Sequence, residues 1–309
     1  MLEGVLSSAK RIRMKLMSSL LASFSEEITS LVEVTASSVV TVQGNSKSLS
    51  ETSVGSGWIY RDDGYVVTNF HVIDGMREPL VLIDHSMARH QCQLVGCDRL
   101  NDLAVLHSKT LGAVALALHT DSPRIGSLCF AVGSPLGLRE SASMGIVSGL
   151  HRQGSHPSGV LIEDMLQTDA SINPGNSGGP LVCVDGSVIG VNTMGTGQNI
   201  NFSVPAATVA HVVPELIEFG EIKQASLGIS VSEVGIEKGL HGVAVMSCRG
   251  SQNQFLEGDV ICSFNGKEVL KKIDLVRELS RNVIGKDVGA EVVRDGEKIR
   301  LSVQPVEKN

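Results

Sequence analysis

Short valine-rich runs separated by turn residues fill the chain from residue 38 to residue 204. The runs 55–60 and 65–68 flank an Asp-Asp-Gly turn at 62–64, and Gly186 closes a second Asp-Gly hairpin. The other predicted strands are 38–42, 79–83, 91–95, 104–107, 128–132, 145–150, 165–169, 180–184, 187–192 and 201–204. Because no helical pattern intervenes, this region is predicted to be all-β, as a barrel or a sandwich.

The pattern changes after residue 205. Apolar residues recur at 209, 212, 213, 216 and 219, the spacing of a helix that ends near Gly220. A connector precedes a second group of predicted strands at 227–231, 243–246, 260–264, 290–294 and 298–304, with a helix at 272–281. We therefore divide the chain into an N-terminal segment 1–30, a first domain 31–221 and a second domain 222–309.

The first 25 residues carry the basic residues Lys10, Arg11, Arg13 and Lys15, many serines and one acid, Glu3. Three interpretations remain open: an organelle-targeting peptide, a short signal core, or an amphipathic helix that packs on the first domain or a neighbouring subunit. No apolar run reaches the ~20 residues of a membrane span. The compartment is left open between cytoplasm, organelle and periplasm.

Charge and cysteine spacing exclude several classes of function. A net charge of -7 and an aromatic content of 3% argue against nucleic-acid binding. The six cysteines form no CxxC pair and have no zinc-finger spacing to histidine, which favours buried thiols over disulfides in a chain of this length. No metal or cofactor is expected.

The run Gly-Asn-Ser-Gly-Gly-Pro at 175–180 carries the strongest chemical signal. A serine hydroxyl is a weak nucleophile, so it must project from a fixed backbone beside a base. The glycines allow a tight turn, in which the amides of Gly175, Asn176 and Ser177 point to one spot. Such donors stabilise an oxyanion by ~2.7–4 kcal/mol each. Taken alone, the run is also compatible with a turn that holds an incidental serine.

Two further residues complete a catalytic pattern. His71 follows a predicted strand, and Asp102 opens another. A base must reach the serine hydroxyl, and an acid must hold the imidazole from its far side. The order His71, Asp102, Ser177 is the one that double-barrel serine proteases use.

The chain resembles the HtrA/Deg family of serine proteases in six segments that occur in the family's order. These segments are 55–57, 68–73, 101–106, 133–138, 145–148 and 167–181. The resemblance implies a mostly β fold, with a trypsin-like double β-barrel followed by a small α+β PDZ domain. Phe70, before the histidine, departs from the small or polar residue usual there.

The same resemblance implies roles for individual residues. His71 would be the general base, Asp102 its orienting acid and Ser177 the nucleophile. Gly175 and Ser177 would supply the main oxyanion-hole amides, with Asn176 between them. The residues expected to bind substrate are Asn192, Thr193, Met194, Gly195, Ile200 and Phe202. No aspartate lies at an obvious pocket base, so small or medium aliphatic side chains are the expected preference.

The second domain carries its own part of the resemblance. Leu227, Gly228 and Ile229 are similar to the PDZ loop that binds a peptide carboxylate, whereas Ser226 stands where an aromatic or large aliphatic residue is common. The implied partners are unfolded or damaged proteins as substrates and C-terminal peptides at the PDZ domain. The family also implies a homotrimer, with the N-terminal helix and the strand near Val39 as candidate contacts.

Three other classes of function are alternatives to this interpretation. A chaperone or scaffold with a relic triad would be indicated by loss of a triad residue, and all three are present. An ester hydrolase of the α/β class needs Gly-x-Ser-x-Gly on a strand–helix turn, and a metal hydrolase needs a set such as HExxH. The run Asn176-Ser177-Gly178 lies between predicted strands instead, and no HExxH or similar ligand set occurs. The expected function is therefore a serine endopeptidase.

Overall fold

The computed structural model describes residues 2–46, 52–112, 114–134, 141–155, 161–195, 199–233, 242–249 and 254–308. The chain forms two compact units, Met1–Glu221 and Ile222–Asn309. The first unit begins with helix α1 (Leu2–Ala36), which runs past residue 30. Among the helices described, none combines the length and apolar character that crossing a membrane would need.

A first barrel follows α1. Its elements are β1 (Val39–Ser46), β2 (Thr52–Arg61), β3 (Tyr65–Thr68), α2 (Phe70–Ile73), β4 (Met76–Ile83), β5 (Arg89–Asp98) and β6 (Leu103–His107). The six strands close in the order β1-β2-β3-β6-β5-β4. The alternating valines and leucines predicted from sequence point inward, and Val42, Ile59, Val66, Leu82 and Leu106 are fully buried. The single helical turn α2 was not predicted, because four residues are too few for a helical period.

A second barrel completes the first unit. Its strands are β7 (Leu128–Gly133), β8 (Ser141–Ser155), β9 (Leu161–Thr168), β10 (Pro180–Cys183), β11 (Val188–Gly195) and β12 (Asn201–Pro205), closed in the order β10-β11-β12-β9-β8-β7. Both predicted Asp-Gly hairpins are confirmed, at β2–β3 and β10–β11. The sequence left a barrel and a sandwich open, and because both sheets are closed, the region consists of barrels. The predicted C-terminal helix is α3 (Ala206–Phe219), which packs on β5 and β6 of one barrel and β11 of the other.

The second unit is a small sheet with one main helix. Its elements are β13 (Ala225–Ser226), β14 (Ile229–Glu233), β15 (Val243–Cys248), β16 (Val260–Phe264), β17 (Lys267–Glu268), α4 (Lys272–Glu278), β18 (Val288–Arg294), β19 (Glu297–Val303) and β20 (Val306–Glu307). The main sheet has the order β14-β15-β16-β18-β19 around Val243, Phe255, Ile261 and Phe264. Helix α4 ends three residues before the predicted 281, where a 3-10 turn at Arg281–Val283 takes over.

Candidate active site

His71 and Asp102 meet at one end of the strand pair β3–β6. These strands are antiparallel with Thr68 opposite Ala104, so the residues after β3 and before β6 are neighbours. The backbone N–H of His71 donates to Asp102 Oδ1 at 2.9 Å, and His71 Nδ1 lies 2.7 Å from Asp102 Oδ2. The carboxylate thus holds the imidazole through Nδ1 and leaves Nε2 on the other side of the ring.

The backbone around this pair is fixed by further hydrogen bonds. Asp102 has a left-handed φ of 52°, and its carbonyl accepts from the Asn69 side-chain amide at 2.9 Å and from the Phe70 N–H at 3.2 Å. The Asp102 side chain is 5% exposed and that of His71 24% exposed. The acid is therefore buried behind a histidine whose ring reaches solvent. The Phe70 ring contacts the Arg99 guanidinium, 4.7 Å from its centroid.

Ser177 lies on a glycine turn between β9 and β10. Gly175 and Gly178 have φ values of 101° and 85°, which L side chains rarely adopt. A Cβ at Gly178 would overlap the carbonyl oxygen of Ser56, so the position also needs the missing side chain. The Gly178 N–H donates to the Asn192 carbonyl at 2.8 Å, which ties the turn to β11.

Ser56 of the first barrel clamps this turn of the second barrel. Its N–H donates to the Ser177 carbonyl at 2.9 Å, and its hydroxyl donates to the Gly175 carbonyl at 2.6 Å. Ser56 is itself held, because its carbonyl accepts from the Thr68 hydroxyl at 2.6 Å and its Oγ from the Ser134 N–H at 2.8 Å. The segment 55–57 was recognised as part of a family pattern, but sequence reasoning assigned it no role.

Thr193 connects the acid and the serine. Its hydroxyl donates to Asp102 Oδ2, and its carbonyl accepts a hydrogen bond from Ser177 Oγ at 3.2 Å. The sequence-based prediction placed Thr193 in the substrate-binding strand and missed the contact of its side chain with the acid. The only available signal was a hydroxyl-bearing residue within the predicted substrate strand.

The three predicted oxyanion amides are not equivalent. The Asn176 N–H donates to the Asn173 carbonyl at 2.9 Å and is therefore used inside the turn. In the part of the chain that the structure describes, the N–H groups of Gly175 and Ser177 have no protein acceptor. The Asn176 side-chain Oδ1 is buried and has no hydrogen-bond partner among those residues.

The predicted substrate-binding residues lie on β11 and β12. Asn192 is fully buried, its N–H donates to the Gly179 carbonyl at 2.9 Å, and its side chain donates to the Pro180 carbonyl at 2.9 Å. The ladder between β10 and β11 ends here. Beyond it, Met194 pairs with Phe202 and Gly195 with Asn201, on the β12 side. Ile200 is 40% exposed next to this segment. Residues 196–198 and 135–138, parts of the predicted specificity and family segments, lie outside the described residues.

The predicted carboxylate loop of the second unit leads into an edge strand. Gly228 has a φ of 66°, its carbonyl accepts from the Arg249 N–H at 2.6 Å, and its own N–H donates to Ser226 Oγ at 3.2 Å. In the described residues, β14 pairs with β15 alone, and α4 packs beside it, with the Lys272 N–H donating to Glu233 at 3.3 Å.

The cysteines do not compete for the role of nucleophile. Burial raises the pKa of Cys129 to about 11 and also raises the pKa of Cys97 and Cys183. A thiol attacks through its thiolate, so a raised pKa makes these groups poor nucleophiles near neutral pH.

Two closed six-stranded barrels, with serine, histidine and aspartate brought together where they meet, define the trypsin-like class of peptidase folds. Comparison with known protein families agrees with this fold. The family model described as "Trypsin-like peptidase domain" matches residues 55–191 of the chain, and the family model described as "PDZ domain" matches residues 225–304. The chain belongs to the HtrA/Deg family of serine proteases.

Among its relatives, "Protease Do-like 1, chloroplastic" of Arabidopsis thaliana is 34% identical over 276 residues, which are 81% of this chain and 62% of that protein. Periplasmic serine endoprotease DegP of Escherichia coli is 33% identical over 273 residues, 82% of this chain and 56% of that protein. The solved structure "HtrA-type protease AlgW with tripeptide" is 31% identical with a TM-score of 0.76, covering 90% of this chain and 96% of that one. The chain thus spans about half to three fifths of these two curated relatives.

Proposed function

We propose that the chain is a serine endopeptidase that hydrolyses unfolded or damaged proteins through an acyl-enzyme. The observation that carries this proposal is the position of Thr193, which contacts both Asp102 and Ser177. Asp102 of the first barrel and Ser177 of the second barrel therefore both lie next to Thr193. The retained order and geometry of the three side chains support acyl transfer.

The first half of the reaction needs one rearrangement. Ser177 has a single hydroxyl proton, which it donates to the Thr193 carbonyl in this structure. For proton transfer, that bond is exchanged for one to His71 Nε2, and Ser177 Oγ then attacks the scissile carbonyl. Asp102 holds the His71 tautomer and stabilises the imidazolium that forms, and the imidazolium then protonates the leaving amine.

The oxyanion is assigned to the N–H groups of Gly175 and Ser177. Asn176 is excluded from a direct role because its N–H is already bonded to Asn173. The clamp by Ser56 holds the carbonyl of Gly175 and that of Ser177, so the turn keeps its shape as charge develops. Water then attacks the acyl-enzyme with His71 as base.

Substrate is proposed to add as a strand to residues 193–195, beyond the end of β10. This edge requires an extended peptide, which an unfolded chain offers and a folded domain does not. Gly195 has room only for hydrogen, because a side chain there would overlap Asn201. Asn192 supports the edge from inside the barrel. Small or medium aliphatic side chains remain the proposed preference, with Ile200 and Phe202 at the same site.

In the second unit, a C-terminal peptide is proposed to pair with β14 beside α4. The carboxylate would bind at Leu227, Gly228 and Ile229, and binding would regulate cleavage. The solved relative with a bound tripeptide supports peptide binding in this family. We further propose a homotrimer, because Leu20, Leu21 and Phe24 of α1 are exposed apolar side chains that a neighbouring subunit would cover.

The test is cleavage of reduced casein by the full chain, with and without C-terminal peptides. Ser177→Ala should abolish cleavage, and the matched control Ser171→Ala, an exposed serine six residues earlier, should not. A fluorophosphonate probe should label the wild type and the control but not Ser177→Ala.

Equal cleavage by wild type and Ser177→Ala would overturn the protease proposal. Suppression of casein aggregation without cleavage would then indicate a chaperone or scaffold. A peptide that binds without changing the cleavage rate would remove the regulatory role and leave the triad assignment intact.

A further inference from the structure

The segment that links the two barrels is held on the second barrel by backbone hydrogen bonds. Leu118 forms a parallel bridge with Val188 at the start of β11. The His119 N–H donates to the Val188 carbonyl at 2.9 Å, and the Val188 N–H donates to the Ala117 carbonyl at 2.8 Å. His119 therefore has a defined backbone position next to the β10–β11 hairpin.

The hairpin itself is rigidly bonded. The Cys183 N–H donates to the Ser187 carbonyl at 3.0 Å, and the Gly186 N–H donates to the Cys183 carbonyl at 3.0 Å. The Asp185 carboxylate accepts from the Ser187 N–H at 2.9 Å, the Ser187 hydroxyl at 2.6 Å and the Cys183 thiol at 3.0 Å, all at Oδ1. These bonds fix the Cys183 and Asp185 side chains on one side of the turn.

Three different donor groups converge there. A ring nitrogen of His119, Sγ of Cys183 and a carboxylate oxygen of Asp185 all lie within 4.8 Å of one another. His119 and Cys183 are half-buried and Asp185 is exposed, so the group borders solvent. Among the residues that the structure describes, the His119 ring has no hydrogen-bond partner and Asp185 Oδ2 has none either.

We propose that His119, Cys183 and Asp185 bind a zinc ion. Imidazole, thiolate and carboxylate are the three ligand types that zinc uses in proteins, whereas Mg²⁺ and Ca²⁺ prefer oxygen alone. The Cys183 thiol releases its proton to solvent on binding, and the thiolate and carboxylate together neutralise the charge of the ion. Three protein ligands leave a fourth position for water.

The three ligand groups already lie near the spacing that a zinc ion needs. Zinc bonds of ~2.0–2.3 Å in a tetrahedron place ligand atoms about 3.5 Å apart, and these three groups already lie within 4.8 Å. The backbone of His119 and of Cys183 and the side chain of Asp185 are held by the hydrogen bonds described above, so little ordering is needed on binding. The ion would join the link between the barrels to the hairpin that ends β10. Bound zinc should therefore stabilise the first unit.

The first experiment uses the full chain, reduced and stripped of metal with a chelator. Cobalt(II) serves as the spectroscopic probe, because tetrahedral cobalt bound to a thiolate shows a near-ultraviolet charge-transfer band and intense visible bands. We expect both features at one equivalent per chain, and their loss when zinc is added. Absence of the charge-transfer band would overturn the proposal.

Variants assign the ligands. Cys183→Ser should remove the charge-transfer band, and His119→Gln should weaken zinc binding in calorimetry by at least tenfold. Asp185→Asn should also weaken it, but it loses turn hydrogen bonds as well, so the first two variants decide the matter. The controls Cys262→Ser, in the second unit, and His211→Gln, exposed on α3, should bind like the wild type. Equal effects in controls and site variants would contradict the site.

Stability gives an independent measurement. At zinc concentrations near 100 times the dissociation constant, the melting temperature of the first unit should rise by about 5 °C or more. Cys183→Ser should still melt cooperatively without metal, and zinc should not raise its melting temperature. A rise that persists in Cys183→Ser and His119→Gln would place the ion elsewhere and overturn the assignment.

Discussion

Asp102 in the first unit and Asp259 in the second are both buried carboxylates, 4% and 1% exposed, but they have different partners. Asp102 is bonded to His71 and Thr193, which carry no fixed charge. Asp259 is held by both Arg294 Nε at 2.7 Å and Nη2 at 2.8 Å, and by the Leu256 N–H at 2.8 Å.

The difference in partners distinguishes a carboxylate suited to catalysis from one that stabilises the fold. Arg294 neutralises Asp259 permanently, and its hydrogen bonds lower the pKa of Asp259 below the usual 3.8. Such a pair stabilises the second unit and keeps Asp259 ionised near neutral pH. Asp102 instead faces the imidazole of His71, whose side chain is 24% exposed. A buried acid that orients a partly exposed imidazole is the one suited to general-base catalysis.

The largest expected effect tests the role of Asp102. Asp102→Asn should lower kcat for an unfolded substrate by about 10⁴-fold, because the amide stabilises the wrong His71 tautomer. Asp259→Asn is the matched control in the other unit and should leave kcat for a short peptide substrate unchanged. Steady-state kinetics on both variants test this prediction. Equal losses of kcat would contradict the proposal that Asp102 acts in catalysis and Asp259 only in the fold.

The next effect concerns the fold of the second unit. Arg294→Met should reduce its unfolding free energy by about 3 kcal/mol, because Asp259 is left buried without its cation. Arg300→Met, which removes an exposed partner of Glu291, should cost far less stability, because water screens that pair. Hydrogen exchange of β16 and β18 measures this, since the single tryptophan, Trp58, reports only on the first unit.

The same pair gives a pH dependence. Because the folded pKa of Asp259 lies below the unfolded value, its contribution to stability is present above about pH 4 and is lost as pH falls through the folded pKa. Arg294→Met should flatten this acid dependence in the same exchange experiment. An unchanged acid profile would mean that other carboxylates dominate.

A smaller effect tests the link between the barrels. Thr193→Val removes a hydroxyl donor to the charged Asp102 at similar volume, and kcat should fall about 10-fold with KM unchanged. Thr193→Ser keeps the donor and should recover most of the rate. A shift of the kcat pH profile in Thr193→Val, absent in Thr193→Ser, would show that Thr193 acts through the acid. A pure rise in KM would contradict that role.

The smallest effect concerns the PDZ loop. Ser226 Oγ accepts the Gly228 N–H that is proposed to face a peptide carboxylate. Ser226→Ala removes this competing acceptor and should tighten binding of a C-terminal peptide about threefold in fluorescence anisotropy. Ser263→Ala, on β16, is the control. Weaker binding by Ser226→Ala would indicate that the hydroxyl orders the loop for the peptide.

Much of this molecule can be predicted from local patterns. Period-two alternation marks the strands, and the Asp-Gly pairs before Tyr65 and at Gly186 mark the hairpins, because those turns need left-handed backbone. The ends of strands are predicted less well. Strands were predicted to begin at 187 and 227, whereas β11 begins at Val188 and β14 at Ile229. The ends differ because they depend on which neighbouring strands pair with them. The extension of β8 to Ser155 was missed for the same reason, whereas α2 was missed because four residues are too few for a helical period.

The amino-acid sequence was enough to select His71, Asp102 and Ser177 as candidates, because each lies in a motif whose residues are adjacent in the chain. The folded chain was needed to see that Thr193 contacts Asp102, that Ser56 bonds to Gly175, and that His119 lies beside Cys183. The members of each pair are separated by 64 to 119 residues in the chain. Barrel closure and strand register bring such residues together, and neither is encoded in a short stretch of sequence.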